Sequence, residues 1–230
     1  MADSGKQWKR PDRRRLQRIR DRLRAYYGRP RNEPHRAPLD ELVLTILSQN
    51  TNDRNRDIAY ARLRSRFASW DEVADAPLAD VEEAIRPGGI SKVKSKRIKE
   101  ILQSLRSHQN GLSLDWLEDA SRERAFEFLE ALPGVGRKTA ACVLLFSYDR
   151  PELPVDTHVY RVTSRLGLIR PKASFGEAHD RVRELVEPAD TYEIHVNLLR
   201  HGRRLCKAQR PLCDQCPLLR VCPYGRAHLP

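Results

Sequence analysis

Four of the five cysteines, Cys206, Cys213, Cys216 and Cys222, fall within the last 25 residues. Their spacing is C-x6-C-x2-C-x5-C. Four thiols this close in sequence constrain the chain more than any other feature, because they supply soft sulfur ligands for one metal centre, iron–sulfur or zinc. Two tail disulfides, or four unrelated core cysteines, are the plain alternatives. The segment is rich in Lys, Arg and Pro and poor in core-forming residues, which argues against both. Zinc sites favour two short C-x2-C knuckles, and only Cys213 and Cys216 make one, so the spacing leans toward iron–sulfur.

At 230 residues, with 40% hydrophobic and 32% charged side chains, the chain has material for one large domain or two small ones. No apolar run approaches the ~18 residues of a membrane helix, so no membrane partner is expected. Residues 1–10 lack an apolar stretch and do not read as a secretory signal. With the thiols reduced, this points to the cytosol. The formal charge is +12. Residues 1–31 hold twelve Lys/Arg, Lys6, Arg14, Arg18 and Arg22 among them, against three Asp. Such a basic arm is expected to be an electrostatic footprint for a polyanion, most simply nucleic acid; a solvated helix face is the plain alternative.

Apolar residues recur at helical spacing along the whole chain. Leu16, Ile19 and Leu23 form one stripe, and Leu39, Leu42, Val43 and Ile46 another. Ile98, Ile101, Leu102 and Leu105 form a third, and Val159, Val162 and Leu166 a fourth. Ile58, Ala61 and Leu63 make a weaker one. No sustained alternation suggests strands, so an all-α fold is expected.

The stretch Leu132-Pro133-Gly134-Val135-Gly136-Arg137-Lys138-Thr139-Ala140 reads as a tight turn opening a helix. Gly134 and Gly136 permit positive φ and close backbone approach. The first-turn N–H groups of the following helix offer a seat for one phosphate. The spacing is not that of a Walker loop. Lys138 sits where the positive helix end and Arg137 both disfavour an ammonium; a neutral amine there is what Schiff-base chemistry requires. A surface phosphate contact is the ordinary reading of that lysine. Eighteen residues on, Pro154-Val155-Asp156-Thr157-His158-Val159 precedes a helical run. Asp156 is expected to cap it, with one oxygen left for chemistry at an amine or a cationic sugar. His158 reads as structural.

These motifs, in this order, resemble the endonuclease III family of DNA glycosylases within the helix–hairpin–helix superfamily. LPGVGRKTA, VDTHVYRV and the cysteine tail carry the resemblance, with weaker matches at ILSQNTND (residues 46–53) and GGISKVKSKRI (residues 88–98). It implies a bilobal all-α fold. A helical barrel domain would span 31–149 and hold the helix–hairpin–helix. A cluster domain would join residues 1–30 to 150–230, with a 4Fe–4S cluster on the four tail cysteines, and DNA would lie between the lobes. The resemblance also implies base excision repair by a bifunctional N-glycosylase and abasic-site lyase. Oxidised pyrimidines would be its targets in double-stranded DNA, with nicking 3′ to the abasic site through a lysine Schiff base. Lys138 would attack C1′ and Asp156 would assist. Such an enzyme takes its target base out of the stack, and Asn50 and Ile90 would fill the gap. Asn50 departs from the glutamine common in the family at that point. Gly134, Val135, Gly136 and Arg137 of the hairpin, and Lys207 and Arg210 of the tail, would contact the DNA backbone. A monomer in the cytoplasm, associated with the nucleoid, is expected. Cys142 reads as a buried core thiol.

Two other readings compete. Adenine-mismatch glycosylases share the cysteine tail but usually lack the lysine, and carry a catalytic glutamate where this chain has Leu44-Thr45-Ile46. Thymine- or uracil-mismatch enzymes use related frames. From another class, a non-catalytic DNA-binding protein with a structural metal site would also need the basic arm, hairpin and cysteines; only the Lys138/Asp156 pair separates it.

Overall fold

The computed structural model describes residues 8–33 and 37–229, so Lys6 of the basic arm lies outside it. The described residues contain α-helices and short 3-10 turns and no strand. They divide into two compact units, Pro34–Tyr148 and a discontinuous one made of Met1–Glu33 with Asp149–Pro230.

The N-terminal helix, α1 (Arg13–Tyr27), belongs to the discontinuous unit. The continuous unit is built from α2 (Pro38–Ser48), α3 (Asp53–Arg66), α4 (Trp70–Asp75), α5 (Leu78–Ile85), α6 (Ser91–Arg106), α7 (Arg122–Glu130) and α8 (Arg137–Tyr148). Helices α2 and α8 pack against each other. Leu42 to Leu47 are all buried on α2, and Thr139 to Leu145 on α8. A helix apolar nearly all round must lie inside, so these two form the centre. Each of their fully buried Leu, Ile or Val side chains contributes roughly 1.5–3 kcal/mol. The remaining helices cover the pair with one face each: Ile98, Ile101, Leu102 and Leu105 on α6 are all buried. On α3 the buried residues are Ala59 and Leu63, while Ile58 is 40% exposed and Ala61 exposed. The expected Ile58/Ala61 stripe is therefore displaced. The cause is the turn at Arg86–Gly88: it packs on α3 so closely that a Cβ on Gly88 would lie 3.1 Å from Cβ of Ala59.

The discontinuous unit joins α1 to α9 (Thr157–Arg165), α10 (Phe175–Leu185), α11 (Thr191–Arg204) and α12 (Pro223–His228). Leu16, Ile19 and Leu23 of α1 share a core with Val159, Val162, Val182 and Leu198. Good caps start these helices: Asp12 for α1, Asp156 for α9, and Ser174 with Glu177 in a reciprocal capping box for α10.

The basic arm is also part of this unit. Arg20 pairs with Asp190, Arg24 with Glu193 at 2.6 Å, Arg13 with Glu187 at 3.0 Å and Arg10 with Glu184 at 2.6 Å. The Arg15 guanidinium donates to the Leu166 carbonyl at 2.6 Å. Part of the arm's charge is thus answered within its own unit. Arg14 and Arg18 stay on the exposed face.

Candidate functional site

Three turns of the continuous unit bring its candidate residues to the surface. The first follows α7. Gly134 has φ 73°, which favours glycine, and a Cβ there would sit 2.7 Å from Cδ of Arg97, whose side chain would have to move. Val135 is buried, and its amide donates to Leu132 O at 3.1 Å; it anchors the turn from inside. Gly136 is different. Its carbonyl accepts the Ala140 amide at 3.0 Å, which starts α8, yet a Cβ at Gly136 would meet nothing within 4 Å. Internal packing does not explain that glycine, and open space lies beside the first-turn N–H groups of α8. Arg137 and Lys138 are the first two residues of α8, both half-buried.

The second turn follows α2 and the third precedes α6. Asn50 is exposed with φ 52°. Ile90 is 52% exposed with φ 47° and ψ 38°. Asparagine tolerates that region, but a β-branched residue there is an outlier. Strain of this kind costs roughly 1–3 kcal/mol and persists mainly at functional sites. Burial does not offset it here, since most of the side chain meets solvent. The first two turns are linked: Arg97 donates to Gln49 Oε1 at 2.9 Å, and Gln49 Nε2 donates to Gly134 O at 3.3 Å.

Asp156 belongs to the discontinuous unit. One of its oxygens accepts the Val159 amide at 2.7 Å, capping α9, and the side chain is half-buried. His158 accepts from Arg161 Nη2 through Nδ1 at 3.0 Å, and its Cβ would lie 2.9 Å from a Cβ on Gly202. It packs α9 against α11.

The four tail cysteines are unbridged and line a single pocket, whose wall includes Val162, Leu166, Leu205 and Leu218. Among the described residues no three His, Cys, Asp or Glu side chains are placed to hold one metal ion. Four soft thiol donors lining one apolar pocket are a donor set that suits an iron–sulfur cluster. The sulfurs already meet donors: Arg165 Nη1 lies 3.3 Å from Cys206 Sγ, and the Gly225 amide 3.3 Å from Cys222 Sγ. Burial pushes the Cys216 thiol up to about 11 and also raises Cys213 and Cys222. Thiolates there need a cation beside them. Lys207 and Arg210 are exposed on the loop between the first two cysteines, Arg210 at φ 49°. Cys142 is buried in α8, in the other unit.

Sequence reasoning missed three residues of this centre. Arg161 donates to the carbonyls of Cys206 and Gly202, each at 2.9 Å. Arg165 donates to Lys207 O at 2.7 Å and Ala208 O at 3.0 Å, and lies over the Tyr224 ring. His201, buried, stands 3.5 Å from Cys216 Sγ, with Tyr27 OH 3.2 Å from its other nitrogen. The signal was available: two arginines one turn apart on α9, and a histidine five residues before Cys206.

Residues 43–188 match the HhH-GPD superfamily of base excision DNA repair proteins. The chain is 36% identical to the endonuclease III of Thermotoga maritima over 198 residues, covering 86% of this chain and 88% of that protein. It is 32% identical to the endonuclease III of Sulfolobus acidocaldarius, covering 80% of each. In structure it is similar to an endonuclease III trapped as a covalent intermediate with DNA, at TM-score 0.81 and 28% identity, covering 94% of this chain and 98% of that one.

Proposed function

The chain belongs to the endonuclease III family of base excision DNA repair proteins, and on that premise we propose the roles its residues play. It is a DNA-binding glycosylase with lyase activity. We assign oxidised pyrimidines in double-stranded DNA, and the abasic sites they leave, as its targets. Lys138 is the nucleophile. Its Nζ lone pair forms a bond to C1′ as the N-glycosidic bond breaks, and the base leaves with that electron pair and a proton. The sugar ring then opens, O4′ taking a proton, to give a Schiff base between Lys138 and C1′. Loss of a proton from C2′ expels the 3′ phosphate, and water hydrolyses the iminium to free the lysine. Asp156 steadies the cationic sugar and moves the protons, with one carboxylate oxygen committed to capping α9.

The observation that carries this reading is Lys138 itself, half-buried in the first turn of α8 directly behind the Gly134–Gly136 turn. The unexplained glycine at 136 supports a phosphate held by the adjoining N–H groups. Gly134 and Arg137 join that seat, and Val135 serves it from the core. The strain and exposure of Ile90 support its role as a wedge, with Asn50 as the second inserting residue. Cys206, Cys213, Cys216 and Cys222 would hold a 4Fe–4S cluster. When bound, it would cross-link four points of the tail and supply the positive charge their thiolates need. Lys207 and Arg210 then reach phosphates from a fixed loop.

Borohydride trapping on an abasic duplex tests the lysine. Wild-type protein is expected to form a covalent adduct, and Lys138→Ala to lose it along with nicking, by on the order of 10³-fold or more. An adduct that survives Lys138→Ala overturns the assignment. Lesion-bearing duplexes scored separately for base release and nicking test the substrate; release of mismatched adenine without nicking would contradict it.

A further inference from the structure

Lys94 is a buried cation in the continuous unit. It is 2% exposed, and its Nζ donates to Leu47 O at 2.7 Å and to Gly88 O at 2.8 Å. Leu47 lies three residues before Asn50, and Gly88 two before Ile90. One ammonium therefore joins the roots of two turns that are distant in sequence.

Stability alone does not account for this lysine. Burial depresses its pKa, so its charge is held at a cost. The first turn of α6 also carries Lys92 and no acid, against the helix dipole. An apolar residue of similar length would fill the same space without either cost. The lysine instead supplies two short, charge-assisted bonds where α2 ends and the strained turn begins. The array continues through Arg97 and Gln49 to the Gly134 carbonyl. The turn after α2, the turn before α6 and the Gly134 hairpin are thus joined by hydrogen bonds from three side chains.

We infer that Lys94 is a positioning residue for base extrusion: it clamps the Asn50 turn to the Ile90 turn so that both side chains enter the duplex in register, while Arg97 and Gln49 tie that pair to the phosphate-gripping hairpin. The inference rests on Asn50 and Ile90 being the inserting residues. Unstacking a base step costs a few kcal/mol, and the wedge must transmit that force without yielding. Two turns held by one buried ammonium do not yield separately.

The test compares nicking of a lesion-bearing duplex with nicking of a single-stranded abasic oligonucleotide. The single strand needs Lys138 but no extrusion. Lys94→Met is expected to lower the duplex-to-single-strand ratio by about 100-fold, the scale of a 1 Å misplacement. It should also slow the fluorescence rise of 2-aminopurine opposite the lesion. If Lys94→Met does not fold, Arg97→Gln makes the same comparison, with a smaller fall expected. A wild-type ratio in the folded variant overturns the clamp, and so does an equal loss on both substrates. Asn50→Ala and Ile90→Ser separate the underlying reading. If they leave the ratio unchanged, insertion falls and the clamp with it; if they lower it while Lys94→Met and Arg97→Gln do not, the clamp alone fails.

Discussion

The two units are held together by different physics. The continuous unit buries few polar side chains, Thr45, Lys94, Ser95 and Thr139, around two helices that are apolar nearly all round. The discontinuous unit buries Glu152, Thr163, His179, Asp190, Thr191, Glu193, His195, Asn197 and His201. Its parts come from opposite ends of the chain and are joined by directed contacts: Arg20 to Asp190, Arg24 to Glu193, and Trp8 Nε1 to Gly167 O at 3.2 Å. Apolar burial is non-directional and tolerates small errors of aim. Buried polar pairs fix one arrangement but punish the loss of either partner. The lysine we propose as nucleophile stands on the first kind of scaffold, and the cysteine tail on the second.

The largest way to test that contrast is to strip from the tail the cluster we propose it holds. Structural metal binding contributes on the order of 10 kcal/mol to small sites. Amide protection over residues 206–222 and α12 should collapse, while that of α2 and α8 persists; hydrogen exchange reads both, and joint collapse would break the comparison. Next comes Ile46→Ala, at the centre of the continuous unit, expected to cost about 2–5 kcal/mol in denaturant unfolding. Arg24→Ala leaves the buried Glu193 carboxylate only the more distant Arg29, at 3.4 Å. Because Arg24 is itself a third exposed, roughly 1–3 kcal/mol is expected, less than for a fully buried pair. Arg14→Ala, on the outward face of the same helix, should stay within about 0.5 kcal/mol. Equal losses at 24 and 14 would mean the ion pairs do little. The smallest effect is acidic. The Arg170 guanidinium and the Ser174 cap hold Glu177 down to about 2, below its ordinary 4.5. A lowered carboxylate stabilises α10 above its unfolded value and loses that contribution as pH falls from about 4.5 toward 2. Thermal midpoints of wild type and Glu177→Gln should therefore differ at pH 6 and converge near pH 2.

The all-α class was legible because helical periodicity is local. Ile98, Ile101, Leu102 and Leu105 declare a face within two turns, and all four are buried. The glycine turn was legible because positive φ selects glycine at Gly134. What failed was information carried by partners far along the chain. Arg20 reads as free charge until Asp190, 170 residues away, is found beside it. Ile58 reads as core until Gly88 packs on the neighbouring Ala59. Lys94 sits in GGISKVKSKRI among exposed basic residues, and nothing local marks it as the one that goes inside. The donors around the cysteines were hidden for the same reason, since Arg161 and Arg165 meet the tail more than 40 residues later.

The buried core partners of α1 all come from Leu153 onward, Val159, Val182 and Leu198 among them. During synthesis at about 5–20 residues per second, that helix leaves the ribosome with a bare apolar stripe and many positive charges. The intervening segment has time to condense on its own before any docking site for α1 exists. For on the order of ten seconds the nascent chain carries a sticky, cationic handle, and a chaperone or the ribosome's own RNA is the surface nearest to hold it.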